Sequence, residues 1–284
     1  MRIVVTGAAG QLGRAIVQRL SSSGTVIPLV RQDLDITVEN DVARVIGAAR
    51  PDVVVNCCAY NAVDDAEDHV GLALEANAFG VLALARAARA AGAVFVHYST
   101  DFVFSGSAER PYKETDVPHP ESNYGISKLL GEWFAADAPV HYVLRVESLF
   151  GGPRAKSSVD RILNRIRLGD PVRVFADRTV TPSYVDDVAE ATARLLEVRP
   201  EPGLYHCVNS GATTWLGIAE EAARQLKRDP VLVPVSVDAV QLRAKRPKYC
   251  ALSNEKLRAA GIDMPTWQDA LSRYVASDLV TRRS

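Results

Sequence analysis

Three side chains in this sequence are of types that could together move a proton onto a reacting oxygen: Tyr124, Lys128 and Thr100. In Tyr124-Gly125-Ile126-Ser127-Lys128 the phenol and the ammonium stand four residues apart near the start of an expected helix. At 3.6 residues per turn that spacing puts both on one face. A cation beside a phenol favours the phenolate and lowers its pKa from about 10, giving a proton donor for use near neutral pH. Alone, the pair is also what an ordinary exposed helix shows. Thr100, in Ser99-Thr100-Asp101, follows an apolar run, and a strand-end hydroxyl there can hydrogen-bond a substrate carbonyl.

These groups need elements to hold them. Residues 2–6 are a short β-branched run ending in Gly7-Ala8-Ala9-Gly10-Gln11-Leu12-Gly13, after which Ala15, Ile16 and Leu20 keep helical spacing. In such a strand, glycine turn and helix, the backbone can approach a pyrophosphate, whose charge is met by amide N–H groups and the helix N-terminus. The glycine spacing is G-x-x-G-x-x-G rather than G-x-G-x-x-G, and a tight turn with no ligand reads the same way. A second strand, 26–30, is followed by Arg31 and Asp33. An acid after this strand suits the ribose 2′-hydroxyl of NAD and a basic group the 2′-phosphate of NADP, so Arg31 favours NADPH, with NADH as the alternative.

A helix over 39–49 and a strand over 52–55 complete a parallel βαβαβ half. The turn Asn56-Cys57-Cys58-Ala59-Tyr60 then lies at a strand's carboxyl end, where open α/β sheets bind ligands. An Ala-rich helix over 68–91, a strand over 93–98, a loop over 105–123 rich in Pro, Gly and polar residues, and a strand over 140–146 follow. The expected fold class is α/β: a Rossmann-type doubly wound parallel sheet in a dinucleotide-binding domain, 1–150, with a smaller C-terminal substrate lobe, 151–284. The lobe is partly interleaved, with parts of 172–210 returning to the first domain. It carries a basic loop, Lys245-Arg246-Pro247-Lys248.

With 284 residues, 48% of them hydrophobic, the chain can bury a full core. A net charge of −1 gives no electrostatic case for nucleic acid or an anionic membrane, so small molecules are the expected partners. No apolar run approaches the roughly 18 to 20 residues of a membrane span, and no basic-then-apolar leader with a cleavage signal precedes the first strand; a cytoplasmic location is expected. Cys57, Cys58, Cys207 and Cys250 show no C-x-x-C spacing and the five histidines no H-x-x-x-H pair, so no metal site is expected. A homodimer is compatible with the pattern, because a helical dimer face and a buried helix face share one periodicity.

The opening glycines, Ser99-Thr100-Asp101 and Tyr-x-x-x-Lys at 124–128 resemble the extended short-chain dehydrogenase/reductases. Leu34-Asp35-Ile36-Thr37, the segment 56–67 with its Ala62-Val63-Asp64-x-Ala66-Glu67, Val103-Phe104-x-Gly106, Gly131-Glu132 and Arg246-Pro247-Lys248 make nearly the whole chain similar to the dTDP-4-dehydrorhamnose reductase family. The resemblance implies NADPH-dependent reduction of the C4 keto group of a nucleotide-linked 4-keto-6-deoxyhexose, of the dTDP type, as in dTDP-rhamnose or related deoxysugar biosynthesis. On it, Thr100 polarises the carbonyl, Tyr124 protonates the alkoxide, and Lys128 holds the nicotinamide ribose and depresses the phenol's pKa. Gly7, Gly10 and Gly13, with Gln11 and Leu12, take the pyrophosphate. Arg31, Asp35 and Ile36 lie toward the adenine end, and Ala59, Tyr60, Asn77 and Ser99 line or support the cofactor site. Asp101, Val103, Phe104, Glu147, Arg246 and Lys248 serve the substrate, the last two at its phosphates.

The chain departs from that pattern where Arg145-Val146-Glu147-Ser148 replaces the family's Arg-Thr-Ser-Trp and Asp177-Arg178 replaces its Asp-Gln. Glu147 is accordingly expected to pair with an amino group on a variant deoxysugar. Two other classes share the scaffold: a sugar-nucleotide epimerase or dehydratase, which returns the hydride and retains NAD, and a non-catalytic NADP-binding regulatory subunit like methionine adenosyltransferase β. The presence of Thr100, Tyr124 and Lys128 together argues for catalysis.

Overall fold

Ile3, Val4 and Val5 are consecutive and fully buried, as in a strand covered on both faces. The computed structural model, which describes residues 1–153 and 156–281, shows what covers them. The first half runs β1 (Arg2–Thr6), α1 (Gln11–Leu20), β2 (Thr25–Leu29), α2 (Glu39–Ala49), β3 (Val53–Asn56), α3 (Val70–Leu74), α4 (Gly80–Ala91), β4 (Val94–Thr100), α5 (Asn123–Ala135) and β5 (His141–Val146). There follow β6 (Leu149–Phe150), α6 (Ser158–Leu168), β7 (Val172–Phe175), β8 (Thr179–Val180), β9 (Ser183–Tyr184), α7 (Val185–Val198), β10 (Gly203–His206), β11 (Thr213–Thr214), α8 (Trp215–Leu226), β12 (Leu232–Val235), α9 (Glu255–Ala259) and α10 (Trp267–Thr281).

The central sheet has six strands in the order β10-β5-β4-β3-β1-β2, all parallel. From β1 the chain moves first to β2 on one side and then to β3 on the other, and that reversal opens a crevice at the carboxyl ends of β1 and β3. Alternate residues face opposite layers. Ile3, Val5, Val53 and Val55 share a core with Leu12, Ile16 and Leu20 of α1 and Val188 and Leu195 of α7. Val4 and Val54 share the other with Val42 and Ile46 of α2 and Leu84 of α4. Each such side chain contributes about 1.5–3 kcal/mol by leaving water, and a one-residue slip would exchange the two sets.

The Ala-rich stretch is not one regular helix. Between α3 and α4 the backbone forms a π-helical turn over Glu75–Phe79, and Asn77, on that turn, is fully buried. Such turns recur at functional sites because they re-aim a side chain inward. The run Val70–Ala91 has the length of a membrane span, and an 18-residue window in it reaches a mean hydropathy of 1.4, against the expectation that no segment approaches a span. Half of its apolar window is buried, and α4 packs on α2 and α5, so it is placed as a core helix.

The remaining strands make three two-stranded sheets outside the central one: β6 with β9, β7 with β12, and β8 with β11. Only β10 returns to the central sheet, pairing Gly203–His206 with 142–145 of β5. The segment after residue 151 thus forms β7 to β9, with Arg178 between β7 and β8 reaching the cavity, before β10 extends the sheet.

Candidate active site

At the start of α1 two glycines are required by close backbone approach. Gly7 has φ of 68°, and a Cβ there would come 2.7 Å from the Cys57 carbonyl carbon; one on Gly13 would come 2.2 Å from the Gly7 oxygen. No side chain caps α1 at Gly10, so its first amides keep their donors for another acceptor. Gly10, Gln11 and Leu12 line a cavity of about 390 Å³ whose other walls include Cys58, Ala59, Ser99, Thr100, Asp101, Tyr124 and Lys128. A tight glycine turn packed on the neighbouring backbone, with uncapped amides opening on a cavity, fits a dinucleotide's pyrophosphate.

At the far end of this crevice Arg31 pairs with Asp35 at 3.2 Å, and Asp35 also accepts from the backbone and hydroxyl of Thr37. Those Thr37 bonds, with Arg31 adding to them, hold the Asp35 carboxyl below its ordinary pKa. Ile36 is buried beneath and belongs to the core. Asn77 clamps the β3 loop: its side chain accepts from Tyr60 N at 2.8 Å and donates to Tyr60 O at 3.1 Å and Ser127 Oγ at 3.0 Å. The Tyr60 hydroxyl meets Asp65 rather than the cavity.

Thr100 ends β4, and Tyr124 stands in the first turn of α5, whose start is held by the Ser122 cap on Gly125 N (3.1 Å) and by Glu67 on Asn123 N (2.9 Å). Thr100, Tyr124 and Lys128 are all buried and all line the one cavity. The expected effect of Lys128 on the phenol is not what this structure shows. The Lys128 Nζ donates to the Tyr98 carbonyl at 2.5 Å and lies 3.4 Å from His97 Nε2. Burial, with the Asp101 carboxyl beside it, pushes the Tyr124 phenol above its ordinary pKa, and Thr100 only partly opposes this. The helix spacing places both side chains on one face, but the lysine stem carries its charge to the sheet. Burial lowers the Lys128 pKa to about 8, with Glu132 opposing.

Ser99 turns its hydroxyl away from the cavity onto Glu132 at 2.5 Å. Glu132 also receives Arg145 Nε at 2.8 Å and NH2 at 2.7 Å, a bidentate ion pair buried behind the strand ends.

On the substrate side the expectations divide. Asp101 lines the cavity, accepts from Thr100 Oγ1 at 3.0 Å and lies 3.9 Å from Arg178. Val103 and Phe104 do not reach it: both are core residues, with Phe104 stacked on Tyr112 at 4.0 Å and Arg145 lying 4.8 Å from its ring centre. Their apolar surface is worth more inside than against a polar sugar. Glu147 does not line the cavity either. It is 1% exposed, one of its carboxyl oxygens, Oε2, accepts from Thr181 N at 2.8 Å and from the Thr181 hydroxyl, and the other, Oε1, is buried away from the cavity, so direct pairing with a substrate amino group is not available to it.

Arg246 and Lys248, with Arg243 and Lys245, line a second, wider cavity of about 970 Å³. Each cation meets an acid: Asp64, Asp238, Asp68 and Glu121 respectively.

Three cavity residues carried no strong sequence signal. Arg178 stood out only as a departure from a pattern, yet its guanidinium lies 5.4 Å from the Phe102 ring centre and donates to Pro247 O at 3.1 Å. Trp215, at the head of α8, reads as core. Ser148 adopts φ of 46°, a left-handed conformation costly for a non-glycine residue and found at sites that over-determine their backbone. Among the described residues, Asp101, Glu147 and Cys250 present donor atoms within 4.8 Å of one another. Arg178, 3.5 Å from Cys250 Sγ, already supplies a positive charge to that group.

A parallel sheet with a glycine cradle after β1, and a buried threonine, tyrosine and lysine across the same crevice, define a site of the short-chain dehydrogenase/reductase class. The chain belongs to the family described as RmlD substrate binding domain, whose profile matches residues 1–280. It is 34% identical over 292 residues to the dTDP-4-dehydrorhamnose reductase of Burkholderia thailandensis, covering 97% of this chain and 98% of that protein. Among solved structures it is similar to a dTDP-4-dehydrorhamnose reductase from Clostridium acetobutylicum (TM-score 0.93, 36% identity, 99% of this chain and 100% of that one). It is also similar to the Bacillus anthracis dTDP-4-dehydrorhamnose reductase solved with NADP (TM-score 0.92, 31% identity, 97% and 99% covered).

Proposed function

We propose that this protein reduces the C4 keto group of a nucleotide-linked 4-keto-6-deoxyhexose, of the dTDP type, with NADPH, a step of deoxysugar biosynthesis. The observation that carries this reading is the convergence of Thr100, Tyr124 and Lys128 on the cavity into which the uncapped start of α1 opens. NADPH, when bound, supplies the hydride. The Thr100 hydroxyl hydrogen-bonds the carbonyl oxygen, and Tyr124 delivers its phenolic proton as that oxygen gains charge. Burial keeps the phenol protonated until then. Lys128 brings a positive charge to the nicotinamide end of the crevice. The amides at Gln11 to Gly13 receive the pyrophosphate, Arg31 the 2′-phosphate, and Asn77 holds the Ala59-Tyr60 turn in place. Arg246 and Lys248 exchange their acid partners for the phosphates of the nucleotide sugar.

Incubation with NADPH and a panel of dTDP-linked 4-keto-6-deoxy sugars, amino and non-amino, is expected to consume one NADPH per alcohol formed. Tight NADPH binding with turnover of none of them would overturn the reading in favour of a regulatory binding protein. A pH profile adds a second check. Lys128 acts as a cation, so kcat/KM, which reports free-enzyme ionisations, falls as pH rises through about 8. Lys128→Arg removes that limb; an identical limb in the variant would contradict the assignment.

The same reading places the protein in the cytoplasm and allows self-association. Leu72, Phe79, Ile126 and Trp133 are exposed on the adjoining α3 to α5 surface, where Phe79 stacks on Phe134 at 6.0 Å. That apolar face supports a homodimer.

A further inference from the structure

Thr100 has one hydroxyl hydrogen, and here it goes to Asp101 Oδ1. The reduction proposed above needs that hydrogen on the substrate's carbonyl oxygen. When it turns, Asp101, 4% exposed, loses a donor, and a buried acceptor left unsatisfied costs about 1–3 kcal/mol. Arg178 does not replace it directly: at 3.9 Å its NH2 is beyond hydrogen-bond reach of Asp101, and it already serves Pro247 O and Cys250 Sγ.

The other neighbour is Glu147. Asp101 Oδ2 and Glu147 Oε1 are both buried and both without a hydrogen-bond partner, while the second oxygen of Glu147 is filled by Thr181. Carboxylate oxygens of the two residues lie within 4.8 Å. Two carboxylates that close, with one guanidinium near them, do not both ionise readily.

We propose that Glu147 is a positioning residue for the reduction: it keeps its proton on Oε1 and, as the two carboxyls close from within 4.8 Å to hydrogen-bond distance, donates it to Asp101 Oδ2, which frees the Thr100 hydrogen for the substrate carbonyl. This role rests on the function proposed above. The proton stays shared within the acid pair, and the proton that ends on the product comes from Tyr124. Burial first, and then the charge of Asp101, push the Glu147 carboxyl well above the usual range, the direction the role requires. The titratable or charged groups facing the pair are Arg178, Cys250 and Tyr249, with Tyr124 facing Asp101 from α5; Arg178 is the cation among them.

The test compares three variants and a spectrum. Glu147→Ala is expected to lower kcat roughly tenfold to a hundredfold with KM changed less than about threefold, the loss of one hydrogen bond to a charged group. Glu147→Gln presents an amide N–H to Asp101 and an amide oxygen to Thr181, and restores kcat to within about threefold of wild type between pH 6 and 8. Thr100→Val combined with Glu147→Ala is no slower than Thr100→Val alone. The infrared difference spectrum of wild type minus Glu147→Gln shows a protonated carboxyl C=O band at neutral pH.

Glu147→Gln as slow as Glu147→Ala, additive losses in the double variant, or an ionised Glu147 in the spectrum would each overturn the role. A wild type that reduces none of the sugars sinks the functional reading and this role with it. An active wild type with an ionised Glu147 sinks the role alone.

Discussion

Tyr124→Phe lowers kcat for sugar reduction by a factor of about 10² to 10⁴, the usual worth of a positioned general acid, while NADPH affinity stays within about threefold of wild type. The separation follows from where the ring sits. Tyr124 is 8% exposed and meets the Phe102 ring edge-on at 5.6 Å, contacts a phenylalanine keeps. Only the hydroxyl goes, and with it the proton for the developing alkoxide. Lys128 remains anchored on the Tyr98 carbonyl and the glycine cradle is untouched, so the cofactor's contacts persist. Steady-state kinetics beside a fluorescence titration of NADPH reads both quantities. A variant with unchanged kcat would mean that another group delivers the proton.

Glu132→Ala destabilises the fold by about 3–5 kcal/mol, because removing one member of a buried ion pair leaves the other uncompensated. The stranded charge is Arg145, 1% exposed, whose Nε and NH2 both depend on Glu132. Its other polar neighbour, His206 at 3.4 Å, is an imidazole that burial and Arg145 itself keep neutral, its pKa lowered to about 3, and a neutral ring does not compensate the charge. Ser99 loses its acceptor too, one residue before Thr100. Because Glu132 is also the carboxylate that holds the Lys128 pKa up, the alkaline limb of kcat/KM moves below about 8 in whatever fraction stays folded. Urea unfolding measures the first effect; a loss under about 1 kcal/mol would show that Arg145 finds another partner.

The sheet and its switch point were legible because β-branched runs and glycine turns are local signals, and a strand buried on both faces has almost no other composition. The Tyr124 to Lys128 spacing likewise located the cavity. What spacing could not show was where the lysine's charge would come to rest, since its acceptor, Tyr98, lies on a different element. The π turn at Glu75–Phe79 was hidden for a similar reason: an Ala-rich stretch satisfies α-helical periodicity whether or not one turn is widened to aim Asn77 inward. Val103 and Phe104 were given to the substrate by the family resemblance, but burial of their apolar surface decided their place. Glu147 and Arg178 were each visible as departures from a pattern. Their meeting at the edge of the cavity, brought about by the β6–β9 pairing between segments more than thirty residues apart, required the fold.

The central claim, hydride reduction of a sugar keto group with Tyr124 as the acid, is tested most directly by the fate of a label. The protein is incubated with NADPH deuterated at nicotinamide C4 and a dTDP-linked 4-keto-6-deoxyhexose, and the product is examined by mass spectrometry and proton NMR. The account predicts one deuterium, at sugar C4, for each NADPH oxidised, with the rate falling in Tyr124→Phe. A product altered at the sugar with no deuterium at C4 and no net NADPH oxidation would contradict it.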